Sequence, residues 1–105
     1  GVDPEIVEQI RSVAESTNEV TSVSDVRARW SGHELYADLS ITVAANLDVS
    51  RAHRLATAVE HELTESIPHL SKIMVHVDPE TSPGQKYHHD DAHAYFSDRA
   101  GSTSE

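Results

Sequence analysis

Cysteine is absent from this 105-residue chain, so neither disulfides nor thiolate metal ligands are available to it. A structural zinc finger is therefore excluded, and any bound metal has to be held by imidazole and carboxylate groups. No apolar run reaches the length of a membrane span, and no secretory signal is visible at the N-terminus. We expect the chain as given to be soluble, although its opening on a helix-capping residue is equally typical of a domain cut from a longer protein.

Positive charge is also scarce. Eight Lys and Arg stand against eighteen Asp and Glu, which gives a formal net charge of -10. Such a surface repels nucleic acid and anionic membranes and attracts cations. The length suits one domain. No nucleophile elbow, glycine-rich phosphate loop or His-Glu-x-x-His pattern is present, so the sequence does not indicate an enzyme.

Two segments have the apolar spacing of amphipathic helices. The first begins at Asp3, a good N-cap followed by proline, and continues to about Ser16. The second begins at the cap Asp48 and carries an apolar stripe at spacings of three and four until Pro68. Both helices therefore have one face to bury.

Three segments alternate between apolar and polar residues and are predicted as strands, at 25–30, 35–43 and 72–78. Gly32 lies in the short turn that makes the first two a hairpin. A right-handed crossover through the second helix places the last strand parallel to the second. We expect an α+β fold, a two-layer αββαβ sandwich with a three-stranded mixed sheet and both helices on one face.

The C-terminal segment is different in composition and predicts disorder or weak docking. We divide the chain into a domain of residues 1–80 and a tail of residues 81–105. The tail contains the run KYHHDDAH, whose side chains bind divalent metal weakly in almost any flexible peptide. The accessory metal ligands predicted there are His88, His89, Asp90 and His93. The alternative is a purely solubilising tail.

The uncovered face of the predicted sheet carries an acid and an imidazole. Alternation places Asp38 and His76 there, and their oxygen and nitrogen donors suit zinc, manganese and ferrous iron. Two ligands are too few for a tight site, but a twofold dimer would double them. The alternative is a solvated strand face with an ion pair to Arg27 or Arg29. His53, near the start of the second helix, is either a further ligand or a histidine bonded to nearby backbone.

Four short segments carry a resemblance to a known family: Val26–Gly32, Ala37–Leu39, Arg51–His53 and Val75–Pro79. Their order and spacing resemble the cytoplasmic C-terminal domain of cation diffusion facilitator (CDF) metal transporters, from about residue 2 to 80. The run from Tyr36 to Asp38 looks closer to the magnetosome-associated members than to general zinc exporters.

The resemblance implies a ferredoxin-like or metallochaperone-like fold that forms a V-shaped homodimer. It implies that divalent metal closes the dimer and favours transport. Asp38 and His76 would be ligands of a central site near the dimer axis, and His53 and Glu80 ligands of a peripheral one. Zinc-exporting relatives carry a histidine at the position of Ser40. This chain therefore lacks that histidine.

The resemblance also implies partners and a location. The regulatory cofactor would be a divalent cation, zinc, Fe(II) or manganese, with no catalytic role. The partners would be a second copy of the chain, the transmembrane domain of the same transporter and a paralogous CDF protein, with no nucleic acid. The domain would lie on the cytoplasmic face of a magnetosome or inner membrane, and iron import into magnetosomes is the function we expect.

Two other hypotheses remain open at this point. One is a metal-independent dimerisation or protein-docking module that uses the open sheet face or the tail. The other is a soluble metal carrier that works without a membrane domain.

Overall fold

The computed structural model describes residues 1–81, and the predicted element order is confirmed. The elements are α1 (Pro4–Glu15), β1 (Ser22–Ser31), β2 (Glu34–Val43), α2 (Val49–Ser66) and β3 (Leu70–Pro79). The tail ligands His88, His89, Asp90 and His93 lie outside the described residues.

Both helices begin at the predicted caps. The Asp3 carboxylate accepts a hydrogen bond from the backbone N–H of Glu5 at 2.9 Å. The Asp48 carboxylate accepts one from the backbone N–H of Arg51 at 2.7 Å. Each bond satisfies an amide that has no partner within its own helix, which is why Asp is favoured at this position.

The sheet has the strand order β1-β2-β3, with β2 in the centre. β1 and β2 are antiparallel, and β2 and β3 are parallel, as the crossover rule predicts. Gly32 adopts a positive φ of 64° in the two-residue loop of the hairpin, a conformation that glycine reaches without steric cost.

β1 contains a bulge that the alternation of the sequence did not reveal. Its register shifts between Ser24 and Arg27, and Asp25 has a positive φ of 54°. The strand consequently begins at Ser22, earlier than the predicted start at Asp25. A bulge adds residues to one strand only, so it reverses the apparent alternation on its N-terminal side.

The core lies between the sheet and the two helices, which contact each other as well as β1 and β3. Leu39 and Ile41 of the central strand are fully buried, as are Val59 and Leu63 of α2. Trp30 is an exception, because it points to the helix side of β1 yet remains 42% exposed at the end of the sheet, where its ring lies 6.1 Å from that of His69. The opposite face of the sheet carries polar side chains.

Candidate metal site

The strand register orders the open face of the sheet into four rows, which follow the pair of Ser31 and Glu34 at the hairpin. Directly paired residues project to the same face, and the polar positions of the three strands are paired with one another. From the hairpin end to the opposite end the rows read Arg29–Tyr36–Lys72, Arg27–Asp38–Met74, Ser24–Ser40–His76 and Ser22–Thr42–Asp78.

Asp38 and His76 lie in the two middle rows, on neighbouring strands. Asp38 is paired with Met74, and His76 is paired with Ser40, so the carboxylate and the imidazole are diagonal neighbours across the β2–β3 ladder. Both side chains are half-buried. The structure thus brings together the two residues that alternation had assigned to this face.

Two donors make half of a tetrahedral site. Zinc in proteins usually has four ligands, and manganese or ferrous iron has more. Within residues 1–81, no group of three or more His, Asp or Glu side chains is placed to hold a metal ion. The donor chemistry therefore fits a divalent cation, but one copy of the described domain does not complete its coordination.

Ser40 is the buried centre of the open face. It is only 5% exposed although no helix covers this side of the sheet. It lies on the central strand and is paired with Ser24 on one side and His76 on the other. Ser40 is thus a direct neighbour of His76 across the ladder and lies two residues from Asp38 on the same strand. The strand alternation did not reveal its burial.

Three cations lie near the hairpin end of the face, next to the pair that contains Glu34. The Arg29 guanidinium carbon lies 4.9 Å from the centre of the Tyr36 ring, and the Lys72 ammonium lies 5.3 Å from it. Both are cation–π contacts, which hold the two cations beside one aromatic ring. Arg27 adds a third charge in the next row. The alternation of the sequence placed Arg27 and Arg29 on this face but did not show that Lys72 and Tyr36 form one cluster with them.

The opposite end of the face is negatively charged. Asp25, Asp78 and Glu80 line one cleft together with hydroxyl-bearing residues of β1 and β2. The backbone N–H of Glu80 donates to the carbonyl oxygen of Val43 at 2.8 Å, so this residue continues the β2–β3 ladder past the end of the strand. Glu80 is therefore held at a defined place.

His53 lies on a different element from the open face. It is an exposed residue of α2, and its carbonyl oxygen accepts a hydrogen bond from the Thr57 hydroxyl at 3.1 Å. The peripheral pair of His53 and Glu80 remains a prediction, because no three-donor group forms around them in the part of the chain that the structure describes.

Among residues 1–81, no helix is long and apolar enough to cross a membrane.

A family model for the cytoplasmic domain of cation efflux proteins matches residues 2–80. This match covers both helices and all three strands. The chain belongs to the cation efflux protein family and represents its cytoplasmic domain. This is not an enzyme family. The match confirms the resemblance of the four short segments to the cytoplasmic C-terminal domain of the family.

Curated relatives include members from several bacteria. A probable cation efflux system protein of Mycobacterium tuberculosis is 40% identical over 79 residues, 75% of this chain and 24% of the relative. The manganese efflux system protein MneP of Bacillus subtilis is 26% identical over 74% of this chain and 26% of the relative. The magnetosome protein MamB of Paramagnetospirillum magneticum is 32% identical over 74% of this chain and 26% of the relative. The chain thus spans about a quarter of the length of these cation efflux relatives.

Solved structures of the MamM C-terminal domain (CTD) have the same fold. One variant of that domain superposes with a TM-score of 0.71 at 27% identity, covering 73% of this chain and 96% of the other. A nickel form of another variant gives a TM-score of 0.72 at 25% identity, covering 75% and 100%. The predicted αββαβ fold is confirmed.

Proposed function

We propose that this chain is the regulatory, metal-sensing dimerisation domain of a divalent-cation transporter. The observation that supports the proposal is the placement of Asp38 and His76 as diagonal neighbours on the open face of the sheet. Both side chains are suitable metal donors, and the family resemblance independently implies that both are ligands of the central site. The peripheral pair, His53 and Glu80, is proposed as a second and weaker site.

The incomplete donor set supports a site shared by two copies. A twofold axis beside Asp38 and His76 would bring two carboxylates and two imidazoles around one point. Four such donors satisfy zinc and supply most of the ligands for manganese or ferrous iron.

The negative charge of the two copies opposes closure of the dimer, and a bound cation would offset it. Each copy has a net charge of -10, so two copies held side by side repel one another. A divalent ion held by Asp38 and His76 of both copies offsets part of this repulsion and favours the closed arrangement. Such an ion shifts the equilibrium only by the difference between its affinities for the closed and open forms.

The relatives named above support a divalent-cation transporter in general. One is named for manganese efflux and another for the magnetosome, while the mycobacterial protein carries only the general name. We retain iron, zinc and manganese as candidate ions. The most specific function that we propose is iron import into magnetosomes. The membrane domain of the same transporter, and a paralogous member of the family, are its proposed partners at the cytoplasmic face of the membrane.

A metal-independent dimerisation module is the second candidate function. It is favoured by the lack of a three-donor group within residues 1–81 and by the 37% exposure of Met74 in the middle of the open face. Methionine is enriched at the buried centre of protein interfaces relative to the rest of the surface.

Titration calorimetry and small-angle scattering separate the two functions. Wild type, Asp38→Ala and His76→Ala would be titrated with zinc and manganese, with Glu62→Ala and His61→Ala on the exposed side of α2 as matched controls. We expect the two site variants to bind at least about tenfold more weakly and to lose the metal-induced decrease in radius of gyration. Equal affinity in all five proteins, with a scattering curve unchanged by metal, would favour the metal-independent module.

A further inference from the structure

The outer edge of β3 is a free sheet edge within the described part of the chain. Among residues 1–81, β3 is paired with β2 on one side and with no strand on the other. From Ile73 to Asp78 this edge contains neither proline nor lysine, two residues that keep a sheet edge from pairing. An edge strand of this kind can accept another strand.

The backbone groups that a further strand needs point outward from alternate residues of β3. The N–H of Glu80 donates to the carbonyl oxygen of Val43 at 2.8 Å, so Glu80 and every second residue before it direct their backbone groups toward β2. Ile73, Val75 and Val77 lie between these residues and direct theirs outward. Their side chains lie on the helix side of the sheet, where Val75 and Val77 are buried but Ile73 is only half-buried. The edge therefore offers both hydrogen-bonding groups and an incompletely covered apolar side chain.

We propose that residues 86–96 add a fourth strand to this edge, antiparallel to β3, and that this strand carries Asp91 and His93 beside His76 as a metal site within one copy. The inference rests on the proposed function only in taking His76 as a metal ligand. It gives a structural role to the tail, which lies outside the described residues.

The connection to β3 has the sequence of a hairpin turn. The chain leaves the β2–β3 ladder at Glu80, and Pro83 and Gly84 follow shortly after it. Proline followed by glycine suits the two central positions of a β-turn. A four-residue loop, 82–85, places Thr81 opposite Lys86, and loops of this length are common in hairpins.

The apolar alternation of the tail agrees with this register. Apolar side chains recur at every second position of the segment: Ala92, Ala94 and Phe96. In the register that the loop sets, these side chains face the helix side, with Ala94 opposite Ile73, while Asp91 and His93 face the open side. A loop with one residue more or fewer would exchange the two faces and point the apolar set away from the core. The turn and the alternation therefore favour the same pairing.

The register places two donors of the tail next to His76. Asp91 lies directly opposite His76, and His93 lies diagonally from it, opposite Met74. The pair of His76 and Asp91 is of the closely spaced kind, because the hydrogen bonds of the added ladder run through the residues on either side. Cβ atoms are about 5 Å apart in such a pair and about 7–8 Å apart on the diagonal, which imidazole and carboxylate can bridge through one ion. Asp38, on the other side of His76, brings the nearby donors to four, the number found in structural zinc sites.

The tail site and the shared site of two copies use the same histidine in turn. The added strand supplies donors to an ion held by one copy. In the proposed dimer, the donors of the second copy replace those of the tail. Closure of the dimer therefore does not require the added strand.

Disulfide formation tests the strand and its register without metal. The native chain has no cysteine, so Met74→Cys can be combined in the full chain with one of three partners: Ala92→Cys, His93→Cys or Ala94→Cys. In a chelating buffer at low protein concentration, we expect the pair with His93→Cys to close an intramolecular disulfide at least about tenfold faster than the other two, because only this side chain faces position 74. In urea the three rates should agree within about twofold, since the loops are almost equal in length.

The other outcomes are distinct. Equal rates for the three pairs in the native protein would overturn the added strand, and fastest closure with Ala92→Cys or Ala94→Cys would overturn its register. Cross-linked dimers in place of the intramolecular product would show that a second copy occupies the edge and would also overturn the inference. All of these results are obtained without metal, so they are independent of the proposed metal sensing.

Calorimetry with zinc tests the metal site. In the full chain, Asp91→Ala and His93→Ala should each weaken binding at least about fivefold. His88→Ala is the matched control, because it removes an imidazole from the opposite face of the strand and should leave the affinity within about twofold of wild type. Equal losses in all three variants would mean that the run binds the ion without a fixed register and would overturn the site. If only Asp38→Ala loses affinity, the shared site stands and the tail site is wrong.

Discussion

Arg27 and Asp38 are direct partners in the antiparallel β1–β2 ladder, and their side chains project to the same face of the sheet. No salt bridge joins them among the contacts of residues 1–81. The carboxylate thus remains available as a ligand, with a guanidinium as its neighbour. A cation in this place repels a divalent ion that approaches the carboxylate.

Removing the neighbouring charge should strengthen metal binding. Arg27→Gln takes away one positive charge beside Asp38, and we expect the affinity for zinc or manganese to rise about three- to tenfold at low salt. Titration calorimetry measures the change, with Arg54→Gln on α2 as the matched control. Weaker binding in Arg27→Gln would mean that the arginine positions the carboxylate more than it repels the ion.

Acid should release the metal. Imidazole binds a metal ion only in its neutral form, and an ordinary imidazole gains its proton near pH 6.5. Below that pH we expect the affinity to fall about tenfold per pH unit for each histidine ligand, so a site with two imidazoles falls more steeply than one. Calorimetric titrations at pH 7.5, 6.5 and 5.5 measure how steeply the metal affinity falls with pH. The His76→Ala variant should show the shallower profile, and identical slopes would remove His76 from the ligand set.

Substituting a residue of the peripheral pair should lower the number of metal ions bound per chain. It should leave the affinity of the central site almost unchanged. We expect His53→Ala or Glu80→Ala to remove the weaker binding event and to leave the tighter one within about threefold of wild type. Calorimetry with excess metal counts the events. Loss of the tighter event in either variant would place that residue in the central site instead.

The histidine-containing tail should be dispensable for closure. Deletion of residues 84–105 removes His88, His89, Asp90 and His93, and we expect the metal-driven change in the scattering curve to persist. Total metal bound per chain should fall in the same experiment, since the run binds ions weakly. If closure disappears on deletion, the tail and not the open face is the regulatory site.

The free energy of unfolding should depend more on the hydrophobic core than on the candidate metal site. Leu39 is fully buried at the centre of β2, and Leu39→Ala is expected to lower the free energy of unfolding by about 2–5 kcal/mol. Asp48→Ala removes the cap of α2 and should cost about 1 kcal/mol. His76→Ala, on the exposed face, should change the metal-free stability by less than either. Urea denaturation in a chelating buffer compares the three.

Local patterns in the sequence were sufficient for most of the fold. Helix caps and apolar spacing located α1 and α2 within about two residues, because both signals act over a few neighbouring positions. The alternation in β2 and β3 was unbroken, so it identified the open face and placed Asp38 and His76 on it. It failed at the start of β1, where the bulge at Asp25 changes the alternation.

The sequence by itself determined the element order, the two faces of the sheet and the lack of thiolate ligands. Only the tertiary structure decided which residues lie beside one another across strands. Pairing depends on register, and register is a property of two strands and not of either one. It placed Lys72 and Arg29 against Tyr36 and buried Ser40 between Ser24 and His76. Within residues 1–81 of one copy the register places two candidate donors, Asp38 and His76, side by side and forms no group of three.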